Sequence, residues 1–309
     1  FGNNDTPGVL LSSAAKEYMK VYGVLVGKKP IIFTNNDSAY ETAIEFKKNG
    51  VDPIVLDSRK ELSSDLIKEA KSLGINIKFE YVVVNANGYR KVKSADIAKI
   101  SDDKTTLGKI ENIVCDCICV SGFWTPTIHL ASQSGGKTKF NEEIDAFIPS
   151  KSKQNETTVG SANGIFNLQD SLNTSFETGY NLSKKITKED NKLSVPTVVE
   201  KKSSKHDKFW CVPLPKGKKY KRFLDFQNDV AVSDIEIAIR EGYRSIEHVK
   251  RYTTLGMATD QGKTSNLNGL QLVSNIENKL VPEVGHTTFR PPYTPVSIGA
   301  IVGREVGKH

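Results

Sequence analysis

The sequence predicts an α/β chain that ends in a small helical domain, and three observations carry that prediction. Between residues 27 and 120 short runs rich in Ile and Val alternate with helical patterns, the order that builds a parallel sheet. An Asn87-Gly88 pair sits between two alternating runs, the strongest short signal for a β-hairpin. From Ser233 onward apolar residues recur at helical spacing, with no strand pattern between them.

Taken in order, "VLLSSAAKEYMKVY" over 9–22 predicts a helix with Leu11, Ala15, Tyr18 and Tyr22 on one side. A strand follows at Pro30–Phe33, then a helix capped by Asp37 or Ser38, lined inside by Ala39, Ala43 and Phe46 and ended by Gly50. Ile54–Leu56 is the second strand, closed by Asp57. "SSDLIKEAKSLG" is a capped helix, "INIKFEY" a third strand, and "ENIVCDCICVSG" a buried strand after the hairpin. Three strands with two intervening helices, then a meander and a last strand, resemble the nucleotide-binding lobe of two-dinucleotide-domain disulfide reductases and their relatives.

Composition excludes several classes. With 38% hydrophobic and 26% charged residues the chain reads as globular, and 309 residues suffice for two or three cores. No apolar run reaches the roughly 18 residues of a membrane span, and no charged-then-apolar leader opens the chain, so the expected setting is cytoplasmic, without a membrane partner. The net charge of +7 comes from lysines spread along the chain. "KKSSKHDK" and "KGKKYKR" flank the apolar "FWCVPLP", a solvated linker around a packed anchor, and no nucleic-acid partner is expected. Cys115, Cys117 and Cys119 alternate in "CDCIC", so in a strand they share one face and cannot converge on a metal. A start at Phe1 and an end after a Gly-punctuated apolar stretch point to a piece of a longer polypeptide.

A dinucleotide loop needs glycines for the tight turn, for pyrophosphate approach and for helix packing. Here Thr34 and Asn36 stand in the first two places and only Ala39 suits the third, while Asp37 puts negative charge where an anion should sit. Asp57 is placed like a ribose-binding acid, but the lobe is expected to hold no tightly bound nucleotide. Residues 121–186 then carry a loop of small residues, strands at "DAFIPS" and "TTVGS", and a helix from about Leu168. Resemblance to the same superfamily places here the return to a first nucleotide domain, where a "GDA" segment sets an aspartate on a flavin. This chain has Gly160-Ser161-Ala162, which argues against flavin but leaves a turn suited to NAD. The candidate NAD contacts are Gly160, Ser161, Ala162, Asn163 and Gly164, with Leu168 and Asp170 at the helix start. No catalytic residue and no metal ligand is expected. Trp124 and His129 fit a packed loop, and His286 and Arg290 fit anchors of an extended Pro-rich segment against a partner.

"GMATDQGKT" invites comparison with a phosphate loop. Yet five residues, not four, separate Gly256 from Gly262, and helices precede it where a strand should stand. Those helices have a capping box at Ser233 and Glu236, an inner stripe of Ile235, Ala238 and Ile239, and then Ile246 and Val249. With "TSNLNGLQLVSNI" they follow the layout of small [2Fe-2S] domains related to bacterioferritin-associated ferredoxin. The four cysteine places are filled by Asp225, Gln227, Asp260 and Ser265, so no thiolate is left for a cluster.

"DFQNDVAVSDIEIAIREGYRSIEHVKRYTTLGMATDQGKTSNLNG", "TTFRPPYTPVSIGAIVGR", "SGFWTPTIHLASQSGGK", "FTNNDSAYETA" and "FGNNDTPGV" together resemble the alpha subunit of heterotetrameric sarcosine oxidase over nearly the whole chain. The resemblance is weakest in the lysine-rich 186–220. It implies a partial two-dinucleotide-binding-domain, disulfide-reductase-like flavoprotein fold plus a ferredoxin-like helical domain without its cluster ligands. It implies NAD on this subunit, FAD and FMN on or against a beta subunit, and tetrahydrofolate on a further domain. The implied partners are beta, gamma and delta subunits. The implied reaction is oxidative demethylation of sarcosine to glycine, giving hydrogen peroxide and formaldehyde or 5,10-methylenetetrahydrofolate, with this fragment alone inactive. The alternative is an electron-transfer subunit of a related amino-acid or opine dehydrogenase, which requires cysteines at 225, 227, 260 and 265. The expected division is 1–26 with 121–186 as NAD-domain remainder, 27–120 as inserted lobe, 187–220 as linker, 221–285 as helical domain and 286–309 as an extended segment.

Overall fold

A computed structural model describes residues 1–122, 124–188, 190, 193–200, 205–292 and 294–302. The chain forms two compact units, Phe1–Trp124 with Lys201–Phe223, and Thr125–Glu200 with Leu224–His309.

The first unit contains β1 (Val9–Leu11), α1 (Ser12–Lys20), β2 (Pro30–Thr34), α2 (Ser38–Lys48), β3 (Ile54–Asp57), α3 (Asp65–Ser72), β4 (Asn76–Phe79), β5 (Tyr81–Asn87), β6 (Ser94–Ile100), β7 (Leu107–Val114) and β8 (Cys117–Ser121). Five strands form a parallel sheet in the order β1-β8-β2-β3-β4, and β5-β6-β7 form an antiparallel meander. Residues 1–26, assigned from the sequence to the NAD domain, lie in this unit because Val9–Leu11 pairs with Ile118–Val120. The β2 strand is buried at every position, as a central strand covered on both faces must be.

Helix α2 buries Ala39, Ala43 and Phe46 as expected, and it ends on Gly50, whose φ of +75° lets Gly50 N and Val51 N reach back to Lys47 O and Phe46 O. Its start differs from expectation. Asn36 Oδ1 accepts Ser38 N at 2.9 Å, and the Asp37 side chain caps nothing. The helix expected over 9–22 is shorter, because Val9–Leu11 extends as a strand. Ser12, Ala15 and Met19 form its buried side, leaving Leu11, Tyr18 and Tyr22 exposed. The hairpin forms, but residues 88–93 connect it instead of a two-residue turn, and within that loop Val92 is buried against the meander. The strand expected over "ENIVCDCICVSG" splits at Cys115-Asp116. Asp116 turns its carboxylate to the backbone amides of Lys28 and Lys29, both at 2.8 Å, separating meander strand β7 from sheet strand β8. The "FWCVPLP" anchor packs as expected, with Val212 buried and Phe209 beside it in the core between meander and sheet.

The second unit begins with α4 (His129–Gln133), β9 (Lys137–Asn141), β10 (Ala146–Lys151) and α5 (Leu168–Thr187). After them come a two-stranded ribbon, β11 (Phe223–Asp225) with β12 (Val230–Ala231), and then α6 (Val232–Arg240), α7 (Ile246–Thr253), α8 (Asn266–Glu277), α9 (Val281–Val284) and α10 (Ile298–Val302). The expected strand at "TTVGS" is absent. The partner of β10 is the polar β9, and residues 160–163 instead form a 3-10 turn between left-handed Gly160 and Gly164. Ile235, Ala238, Ile239, Ile246 and Val249 build the helical core as their spacing predicts. The capping box at Ser233 and Glu236 does not form. Helix α6 starts a residue earlier, and Asp234 Oδ2 accepts Ala231 N at 2.8 Å.

Candidate functional site

Three places were singled out by the sequence, and the geometry distinguishes them. The first is the crevice at the carboxyl ends of β2 and β3, where open parallel sheets bind dinucleotides. Here side chains of the protein fill it. Arg59 donates from Nε to Asp57 Oδ1 at 2.9 Å and from Nη2 to Asp57 Oδ2 at 2.7 Å, and Nη2 also reaches Asp37 Oδ1 at 2.8 Å. Tyr40 adds a hydroxyl donor to Asp57 Oδ2 at 2.8 Å. Arg59, Asp57 and Asp37 are all buried, so this is a desolvated ion triad. Burial together with the neighbouring Asp57 carboxylate holds the Tyr40 phenol well above its ordinary range. Burial alone would lower the Arg59 pKa, but hydrogen bonds and attraction from the two carboxylates prevail and keep the guanidinium charged.

Asp57, placed by sequence as a ribose-binding acid, is therefore committed to Arg59 and Tyr40. The glycine places are closed as well. Thr34 Oγ1 donates to Asn36 O at 2.9 Å, and Asn36 Nδ2 donates to Gly122 O. Segment 205–207 lies across the same end: Arg59 Nη1 donates to Lys205 O at 3.1 Å, while Asn35 and Asp207 exchange two hydrogen bonds. Asp207 pairs in turn with Lys104 at 2.8 Å. The sequence showed the missing glycines, but Arg59 went unnoticed, although Asp57-x-Arg59 after a strand places a cation two residues from the acid it neutralises.

The second place is the turn from Gly160 to Gly164. Gly160 has φ +64° and no backbone close to its missing Cβ, so the turn is open above it. Gly164 has a packing role: a Cβ there would fall 2.7 Å from Ile144 Cδ1 and 3.0 Å from Ile148 Cγ2. Ser161, Ala162 and Asn163 lie between them in the 3-10 turn, none fully buried. Leu168 and Asp170 open α5, but their amides are engaged. Asp170 N donates to the cap Asn167 Oδ1 at 2.8 Å, and Leu168 N donates to Glu200 Oε1 at 2.5 Å. A carboxylate of the chain thus takes the favourable position at a helix N-terminus that a phosphate would take. The turn is open above Gly160, whereas the helix start already carries the Asp170 and Glu200 carboxylates, which oppose an approaching phosphate.

The third place is the loop once compared with phosphate and cluster loops. Gly256 and Gly262 have φ +67° and +73°, and a Cβ on either would lie within 2.1 Å of Asn266 Oδ1. Their glycine identity serves close packing on Asn266, and no phosphate need be invoked. Asp225 is buried and organises the loops: Oδ1 accepts Gln227 N at 3.0 Å and Asn228 N at 3.3 Å, and Oδ2 accepts Gly256 N at 2.8 Å. Gln227 Oε1 accepts the Thr259 hydroxyl at 2.9 Å, Asp260 Oδ1 accepts Gly262 N at 3.0 Å, and Ser265 is buried beside them. Among the described residues no group of three or more His, Cys, Asp or Glu could hold a metal ion. His129 is buried, stacks on Phe289 at 3.9 Å and has Nε2 3.4 Å from Gln261 O, while His286 packs on Phe147 at 5.2 Å. Trp124 is exposed.

These features define an α/β protein with a parallel sheet whose crevice at the carboxyl ends of β2 and β3 is occupied by its own side chains. The fold is shared over 97% of this chain, and 55% of the other, with L-proline dehydrogenase from P. horikoshii, at a TM-score of 0.57 and 21% identity. The chain is homologous along its whole length to part of the alpha subunit of sarcosine oxidase. It is 37% identical over 315 residues to that of Rhizobium meliloti (strain 1021) and 33% identical over 317 residues to that of Corynebacterium sp. (strain P-1). Residues 219–304 match the Sarcosine oxidase A3 domain family. The chain spans 30% and 32% of the length of those two relatives. Among the described residues no helix is long and apolar enough to cross a membrane.

Proposed function

We propose that this chain is the scaffold part of a sarcosine oxidase alpha subunit, supplying one side of an NAD site and no catalytic group. The observation that carries the reading is homology to those alpha subunits over the entire chain, combined with a nucleotide crevice that the protein fills itself. The NAD contacts are the Gly160–Gly164 turn, with Ala162 and Asn163 closest, and the α5 start at Leu168 and Asp170. Glu200 must leave Leu168 N when a pyrophosphate approaches. NAD supplies hydride-transfer chemistry when bound; the residues of this chain only position it. The helical unit is a ferredoxin-like domain in which the Asp225 carboxylate, accepting three backbone amides, has taken over the organising role of cluster ligands.

In the assembled enzyme, beta, gamma and delta subunits complete the machinery in the cytoplasm, with FAD and FMN on or against the beta subunit and tetrahydrofolate on a further domain of the alpha subunit. The complex converts sarcosine to glycine with hydrogen peroxide and formaldehyde or 5,10-methylenetetrahydrofolate. The test is to purify the complete subunit alone and with its partners and to identify the cofactors on each polypeptide. NAD is expected on the alpha polypeptide, whereas flavin or iron firmly bound to it in isolation would exclude the reading.

A further inference from the structure

Along the sequence the net charge of +7 looks spread out, but the fold gathers it at one end of the first unit. Residues 28–29, 88–93 and 216–222 contain ten Lys and Arg and no Asp or Glu, so the rest of the chain is close to balanced. The segment 2–8 ties these three stretches together. Asn3 N donates to Lys221 O at 2.7 Å, and Val92 N donates to Pro7 O at 2.9 Å. A Cβ on Gly2 would lie 2.7 Å from Tyr220 Cβ, and one on Gly8 3.2 Å from Asp116 O. Cys115 N and its neighbour Asp116 N then donate to Lys93 O and Lys29 O, both at 3.2 Å, so the loop after β5 adjoins the loop before β2.

Elsewhere in this unit the lysines mostly face carboxylates. Lys60 meets Asp102 at 2.8 Å, Lys99 meets Glu80 at 3.1 Å and Lys104 meets Asp207 at 2.8 Å. At this end the pattern stops. Arg222 turns inward and donates to Cys211 Sγ and Val212 O, but Lys28, Lys29, Arg90, Lys91, Lys93 and the four lysines of 216–221 are exposed, with no ion-pair partner among the described residues. The Asp116 carboxylate is spent on the amides of Lys28 and Lys29, and the 2–8 segment adds one more acid, Asp5. Tyr89, in the loop that carries Arg90 and Lys91, is 92% exposed.

Like charges crowded without counter-charges repel one another, and an oppositely charged surface laid over them removes that repulsion. We propose that this end of the first unit docks onto an acidic surface of another subunit of the enzyme, with Tyr89 as an aromatic anchor beside the charges. Lysine supplies eight of the nine exposed cations, point charges that steer encounter over a distance, whereas a nucleic-acid backbone is characteristically gripped by arginine forks and interleaved aromatics. The inference rests on the reading of the chain as part of a sarcosine oxidase alpha subunit, and it names the surface by which that subunit meets a partner.

The test is the association rate of the complete alpha subunit with its separately purified partner subunits, followed by stopped-flow fluorescence at about 50 mM and about 500 mM salt. Two charge reversals probe independent loops, Arg90→Glu with Lys91→Glu and Lys218→Glu with Lys219→Glu. Lys109→Glu, exposed on β7 away from this end, is the comparison, and melting temperatures check that each variant is folded. At low salt each double reversal is expected to slow association about tenfold or more, with Lys109→Glu close to the unaltered subunit and the difference shrinking at high salt. Assembly that is insensitive to salt, or reversals that slow it no more than Lys109→Glu, would overturn the docking surface while leaving the parent reading intact. Failure of the unaltered subunits to assemble would instead overturn the parent reading, and the surface with it. Binding of a DNA duplex of about 20 base pairs that both reversals abolish, with assembly unchanged, would assign this end to nucleic acid and overturn the inference.

Discussion

Arg59 decides what the parallel-sheet lobe can bind. One guanidinium neutralises two buried carboxylates, and removing one member of such a group leaves the others charged and dry. Arg59→Ala is therefore expected to destabilise the first unit by about 3–5 kcal/mol, read from urea unfolding, because Asp57 and Asp37 lose their common counter-ion. Asp37→Asn is expected to cost less, since the bidentate pair with Asp57 persists. A change for Arg59→Ala within the spread of surface substitutions, about 0.5 kcal/mol, would show that the triad does not hold the crevice closed. The sequence revealed the loss of the loop glycines and the position of Asp57, but not this triad. Its members come from a helix start, a strand end and the turn after it, and only the fold brings them together. Glu200 at the α5 start was hidden for the same reason, lying 32 residues from the amide it accepts.

Among the elements, strands with continuous apolar runs were legible and polar ones were not. Pro30–Thr34 and Ile54–Asp57 announce themselves by burial on both faces, whereas β9 is built from "KTKFN" and offers no apolar run. The division between β7 and β8 was invisible because Asp116 interrupts the run by bonding amides 87 and 88 residues away. The alternation of Cys115, Cys117 and Cys119 was read as a buried strand face, and all three are buried. Burial pushes the Cys115 thiol up to about 12, and the hydrogen bond with Cys117 followed by burial raises Cys119 well above its usual range. The Cys115 and Cys119 thiols remain protonated and inert. Brief iodoacetamide treatment of the native chain followed by peptide mass spectrometry should label Cys211, which is only partly buried, well before the other three. Denaturation should make all four react alike. Comparable native labelling of Cys117 or Cys119 would contradict the sheet order, which places β8 between β1 and β2.

At the level of the whole molecule, one unit is an α/β lobe whose sheet crevice is filled by its own side chains, and in the helical unit the Asp225 carboxylate organises the loops. The chain is homologous over its whole length to about a third of sarcosine oxidase alpha subunits. The most direct test is hydrogen–deuterium exchange of the 309-residue chain with and without NAD at millimolar concentration. Protection is predicted within 160–170, with residues 34–38 and 57–59 unchanged. Protection of 34–38 and 57–59 would mean that the crevice opens to nucleotide, contradicting the account.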